Sequence, residues 1–197
     1  MTQPTIFIVT DIEADGPDPG RHSMLSLGSV ALGADGHLHG EFTVNLTPLP
    51  GAARDPGAMG WWQGHPEAWE SSTRDPQDPA AAMSAWAEWV RGLPGAPVFA
   101  AHPLAFDGAW IDSYLKRFVG CRLFDRPRDP GLCRFDGLDI PSLVMGRTGR
   151  DFRQCRRDAY PDHWLGENAH SHCALDDARG YAHLLRLAMA GQLLGRG

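Results

Sequence analysis

Two carboxylates, Asp11 and Glu13, stand two residues apart where the apolar run Ile6-Phe7-Ile8-Val9 gives way to acids. Side chains alternate along a strand, so both project to one face. Such a pair is either a solvated strand end or half of a charged site. Asp107 falls in register with Trp110, Ile111, Tyr114, Leu115 and Phe118, at offsets of three, four, seven, eight and eleven residues. That places it on an apolar helical face, where a carboxylate must be hydrogen-bonded, paired or metal-bound. Capping of the helix that opens at Gly108 and a role in a site fit this position equally well. Near the C-terminal end, Asp177 shares a helical phase with Tyr181, Leu184, Leu185 and Ala188, whereas Asp176 runs with Gly180, His183 and Leu187. Asp177 is the inward acid. His172 lies five residues before it, at or just ahead of the helix start. Its imidazole either caps the helix from the surface or stands near the Asp177 carboxylate.

If Asp11, Glu13, Asp107 and Asp177 converge, four negative charges share one pocket. Like charges at such range raise each other's pKa, and two divalent cations would compensate all four. An all-oxygen ligand set favours Mg²⁺ or Mn²⁺ over zinc. Two such ions about 3.5–4 Å apart can clamp a phosphodiester, one activating water and the other stabilising the leaving 3′ oxygen. The composition fits a grip of that kind. Eighteen basic against 24 acidic residues give a formal charge of −6, which excludes a binder that holds a long duplex by broad neutralisation. The four cysteines, Cys121, Cys133, Cys155 and Cys173, form no CxxC pair, so neither a disulfide framework nor a four-Cys zinc site is expected. The start MTQPT carries no basic stretch and the longest apolar run has four residues. No membrane span or secretory signal is expected, and the cytoplasm is the expected location.

The elements that must position these groups follow from the patterning. Residues 5–13 read as a central strand covered on both faces. Leu25 to Leu32 and Leu38 to Leu46, joined through Asp35-Gly36, read as a hairpin that extends the first strand into an antiparallel meander. Residues 47–80, rich in Pro, Gly, Asp and Trp, read as a long functional loop whose only helix-like piece is Pro66 to Ser71. Asp78-Pro79 opens an amphipathic helix that stops near Gly92, and Val98 to Ala101 forms a short buried strand. Further helices are expected over 107–118, about 138–145 and about 174–194, with a polar, weakly patterned stretch over 147–171. One domain spanning 1–197 is expected, an α/β layer fold around a mixed sheet.

The same residues carry a family resemblance. FIVTDIEADG with SMLSLGSVAL resembles the first motif of the DnaQ-like, or DEDD, 3′-to-5′ exonucleases; AHPLAFDGAWIDSYL resembles the second; HCALDDARGYAHLL resembles the third in its His-type form, DEDDh. The match runs along nearly the whole chain, and its His-x4-Asp spacing selects His172 and Asp177 over His170 and Asp176. The resemblance implies a ribonuclease H-like fold: a mixed five-stranded sheet, three antiparallel strands followed by parallel ones, flanked by helices. It implies Asp11, Glu13, Asp107 and Asp177 as ligands of two Mg²⁺ or Mn²⁺ ions and His172 as the general base toward the attacking water. It further implies hydrolysis of single-stranded RNA or DNA 3′ ends or of short oligonucleotides, releasing nucleoside 5′-monophosphates, and it allows a homodimer. Small members of the RNase T-like, oligonucleotide-directed kind are the nearest in pattern.

The chain departs from the family pattern at Asp15, where Thr is frequent, and at His102 or Pro103, where Asn is frequent. Contacts to the terminal nucleotide are assigned to Ala14, Gly16, Met24, Leu25, Trp61 and Trp62. Met24 and Leu25 would wedge against it by family analogy, and Met59, Trp61 and Trp62 in the long loop either stack on a base or pack locally. Arg147, Arg150, Arg153, Arg156 and Arg157 either guide the phosphate backbone or form a solvated loop. The competing functional reading is a module of the same fold that binds nucleic acid or protein and has lost catalysis.

Overall fold

A computed structural model describes residues 3–127, 129, 131–133, 136–167 and 171–194. His170, the alternative third-motif histidine, lies outside the described residues. The chain runs β1 (Thr5–Ala14), β2 (Met24–Gly33), β3 (Leu38–Asn45), α1 (Pro56–Gln63), α2 (Pro66–Thr73), α3 (Pro79–Arg91), β4 (Ala96–Ala101) and α4 (Leu104–Phe118). It continues through β5 (Arg122–Phe124), β6 (Gly131–Cys133), β7 (Leu138–Asp139), α5 (Ile140–Thr148), three short 3₁₀ turns between Phe152 and Trp164, and α6 (Ala174–Met189).

The main sheet has the order β3-β2-β1-β4-β7, antiparallel across its first three strands and parallel at β1–β4 and β4–β7. This is the expected meander followed by parallel strands. Strand β1 is central because both of its faces are apolar. Ile6, Ile8 and Ile12 enter a core with α3 and α4, including Trp86, Trp110 and Tyr114. Phe7 and Val9 on the other face enter a second core with α5 and α6. Asp11 and Glu13 continue the Phe7–Val9 alternation and so project toward the α6 side.

Of the stretch expected as a loop over 47–80, the helix-like piece at Pro66 is α2, whereas α1 was not expected. Asp55 caps α1 by accepting from the Ala58 amide at 2.8 Å, with Pro56 at the first helical position. That is the same Asp-Pro device as Asp78-Pro79 at α3, where the Asp78 carboxylate accepts from Ala80 and Ala81. Gly57, Gly60 and the two tryptophans blurred the helical period of α1. The last helix ends at Met189 rather than near 194.

Gly28 fixes how α6 lies on the sheet. It pairs with Asp11 across the β1–β2 ladder. A Cβ at Gly28 would meet the Leu175 backbone nitrogen at 2.3 Å and Ala174 carbonyl carbon at 2.4 Å. The first turn of α6 therefore rests directly on the β2 backbone, opposite Asp11, and Asp177 follows within that turn. We expect Gly28→Ala to lower stability by about 1–3 kcal/mol in urea unfolding, because backbone rather than a flexible side chain must give way. Unchanged stability would mean that α6 does not depend on this close approach.

Candidate active site

Each of the four acids reaches the pocket for a separate structural reason. Asp11 and Glu13 occupy the end of β1. Pairing of β1 with β4 stops at Thr10–Ala101, and just beyond it the Ile12 amide donates to Asp107 Oδ1 at 3.2 Å. Asp107 lies in the first turn of α4, whose N-cap is Pro103, so it is not the cap. Asp177 comes over the sheet on α6. Asp107 and Asp177 are only 2% and 3% exposed.

The electrostatics follow from this crowding. Burial raises Asp11 well above the ordinary carboxylate range, and Asp107, Glu13 and Asp177 push it further in the same direction, while Arg157 opposes them. Glu13 is likewise raised well above its usual value, by burial and then by Asp177 and Asp107. Burial pushes Asp107 up to about 8, against the lowering effect of the Ile12 amide. Its second oxygen, Oδ2, is buried without a hydrogen-bond partner. An unpartnered carboxylate oxygen facing other carboxylates suits a cation better than any group the protein supplies.

His172 completes the cluster. One ligand atom each from Glu13, His172 and Asp177 lie within 4.8 Å of one another, a spacing that could hold a metal ion. His172 has a left-handed backbone, φ 52°, a strained state for a non-glycine residue. Its ring meets Trp61 edge-on at 4.6 Å and His65 at 5.2 Å, and His65 stacks flat on Trp61 at 4.0 Å. Asp176, by contrast, is taken up by Arg179 and the Ser171 hydroxyl. All five residues singled out for chemistry are thus brought together, with His65 as a neighbour that sequence patterning gave no reason to select.

The expected nucleotide contacts fare differently. Met24 and Leu25 are 0% exposed and Trp62 is 3% exposed. Leu25 and Trp62 pack together with Ala68, Met59 and Trp69, and Met24 sits in the α3–α4 core. The wedge and the stacking surface assigned to these three are therefore corrected: in this structure they are core residues, because α1 and α2 fold down over β2. Trp62 Nε1 donates to the Ala14 carbonyl at 3.0 Å, which gives Ala14 a structural partner. Gly16 is occupied too, since a Cβ there would lie 2.4 Å from the His22 ring. Trp61 alone of the aromatic pair is exposed, at 39%, beside His172. Asp15 ties down the turn after β1, accepting from the Ser23 amide at 2.6 Å.

Protonation of these acids predicts the pH dependence of the metal-free protein. Asp107 rises from 3.8 to about 8 on folding. The folded chain therefore binds more protons than the unfolded chain between those values, and stability falls as pH rises from about 4 toward about 8. In EDTA, Tm is expected to drop across this window, and Mg²⁺ or Mn²⁺ should raise Tm more at the alkaline end; a flat profile would contradict the convergence of the acids. Separately, Trp62→Ala is expected to cost about 3–5 kcal/mol in chemical unfolding, as for a buried aromatic, whereas a loss well under that range would show it is not a core residue.

Comparison with known proteins agrees with this construction. No protein-family model matches the chain. It is 28% identical over 194 residues to the 3′-5′ DNA exonuclease Cap18 of Escherichia coli, covering 94% of this chain and 92% of that protein. It superposes on a zinc-bound E. coli exonuclease I–single-stranded DNA complex with TM-score 0.62 and 13% identity, over 95% of this chain and 40% of that one. The chain thus spans well under half the length of exonuclease I. The nuclease domain of 3′hExo, a DEDDh family member bound to rAMP, superposes with TM-score 0.65 and 11% identity, over 94% of this chain and 90% of that domain. The chain thus shares the ribonuclease H-like fold of these nucleases and is similar over nearly its whole length to a 3′-5′ DNA exonuclease, in keeping with its three motifs in order.

Proposed function

We propose that this chain is a divalent-metal-dependent 3′-to-5′ exonuclease that shortens single-stranded nucleic acid and releases nucleoside 5′-monophosphates. The observation that carries the reading is the Asp107 carboxylate, buried among Asp11, Glu13 and Asp177 with one oxygen hydrogen-bonded to Ile12 and the other unpartnered. A decayed binding module would gain by replacing such a group with a neutral one. The match to a DNA exonuclease favours a DNA strand as substrate.

Asp11, Glu13, Asp107 and Asp177 would hold the cations, two in number by the count of charges. Bound there, divalent ions would supply charge compensation and Lewis-acid polarisation of the scissile phosphate. The protein's own part is proton handling and geometry. A ring nitrogen of His172 accepts a proton from the attacking water as its oxygen bonds to phosphorus. The phosphorus–O3′ bond breaks, and the departing 3′ oxygen takes up a proton. Trp61 and His65 pack against the His172 ring and restrict its orientation, which lowers the cost of reaching the reactive geometry.

The test is a gel assay with end-labelled single-stranded DNA and RNA, in Mg²⁺, in Mn²⁺ and in EDTA. A ladder shortening from the 3′ end that disappears in EDTA is expected. Asp107→Ala should abolish turnover. His172→Ala should lower kcat by a factor of about 10² to 10⁴, the usual contribution of a positioned base, while leaving metal-dependent stabilisation intact. Near-normal turnover in either variant would remove the assigned role, and a wild-type chain without 3′ shortening would remove the function.

A further inference from the structure

A cavity of about 590 Å³ opens beside the end of β4, between His102, Pro103 and Pro141 on one side and Phe152, Cys155 and Arg157 on the other, with Arg153, Arg156 and Asp158 also on its wall. The link to the carboxylate pocket runs through His102. Its ring stacks flat on Tyr181 at 4.5 Å and its Nε2 hydrogen-bonds the Tyr160 hydroxyl at 2.8 Å. Tyr181 stands one turn of α6 beyond Asp177, and burial, followed by the charges of Asp11 and Asp177, raises its hydroxyl pKa. The groove wall is largely apolar, and the Phe152 ring is 53% exposed.

The arginines beside this groove are not equivalent. Arg153 is held by Asp151 at 3.0 Å and Arg156 by Asp158 at 2.8 Å. Arg150 donates to the Ala159 carbonyl and lies 4.7 Å over the Trp164 ring. Arg157 has no carboxylate partner among the described residues, and its Nε is buried with no hydrogen-bond partner. It is the cation that acts on Asp11. A half-buried guanidinium that feels Asp11 only at a distance and has an unbonded Nε is costly to keep, and its fixed fork of donors suits a phosphate.

We propose that this groove holds the stretch of substrate strand adjoining the 3′ terminus, with a backbone phosphate on Arg157 and a base against the exposed ring of Phe152. The occupant is single-stranded nucleic acid because the groove pairs an apolar surface with a cation, Arg157, that has no ion-paired carboxylate among the described residues and acts on Asp11. The assignment rests on the exonuclease reading. It divides the basic segment expected to follow the backbone: Arg157 meets the strand, while Arg153 and Arg156 are neutralised at home.

The experiment measures kcat/KM on a single-stranded DNA of about a dozen nucleotides from about 50 to about 200 mM salt, where one lost phosphate contact flattens the log–log slope by about 0.7. Arg157→Met is expected to lower kcat/KM about tenfold or more, mainly through KM, and to flatten the slope by that amount. Its Tm should equal or exceed that of the wild type, because a buried unpaired donor has gone. Arg153→Met and Arg156→Met should stay within about twofold of the wild type. Phe152→Ala should raise KM by about threefold or more, at an exposed position where folding is not at stake. Wild-type kinetics and slope in Arg157→Met overturn the proposal. Should that variant fail to fold, an unchanged KM in Phe152→Ala overturns it alone. A wild-type chain that leaves 3′ ends intact overturns the exonuclease reading instead.

Discussion

Carboxylates packed into one protein pocket repel one another more strongly than they would in water, because the surrounding medium polarises less. In this chain Asp11, Glu13 and Asp107 are raised first by burial, and for Asp11 and Glu13 the charges of the neighbouring acids, Asp177 included, add to it. Folding alone gains nothing from such a cluster. The sheet and helices hold it against its own charge, and protonation or bound cations must relieve it. The placement of α4, α6 and the end of β1 can be understood as what keeps these groups together.

Two features of the sheet make that possible. Strand β1 outruns its parallel neighbour β4, leaving the Ile12 amide free to take Asp107. Strand β2 offers Gly28 where α6 needs to approach the backbone. One acid is thus tied by a hydrogen bond and another by close packing, from opposite faces of a strand buried on both sides. The histidine is held differently. Its strained backbone lies just ahead of α6, and its ring is contacted by Trp61 and His65 from the short helices that cover β2. These helices are also where Trp62 and Leu25 are packed away from solvent.

The basic segment after α5 follows the same rule of compensation. An arginine beside an aspartate two residues away is largely spent on that partner, as at Arg153 and Arg156. Arg157 has no such ion-paired aspartate among the described residues, and its Nε is unbonded. A count of basic residues along the sequence does not distinguish these cases, since all lie within a few positions of an acid.

What was legible in the residues themselves was whatever depends on local period. The β1 alternation aligned Asp11 with Glu13, the helical phase separated Asp177 from Asp176, and the Asp78-Pro79 cap opened α3 where it begins. The antiparallel meander of the first three strands followed from the patterning, whereas the five-stranded mixed sheet was implied only by the family resemblance, and β7 lies where a helix was expected. Tertiary structure decided the rest. Asp107 had two local readings, cap or site; the helix start at Leu104 removes the first, and the hydrogen bond from Ile12, ninety-five residues away in sequence, places the carboxylate at the end of β1. Trp61 and Trp62 are adjacent and chemically identical, yet one is exposed and the other buried, because a helix turns successive residues by about 100° and α1 has a single face against β2. Exposure, charge partners and close approach are properties of what lies across the fold, and no window of sequence contains both sides.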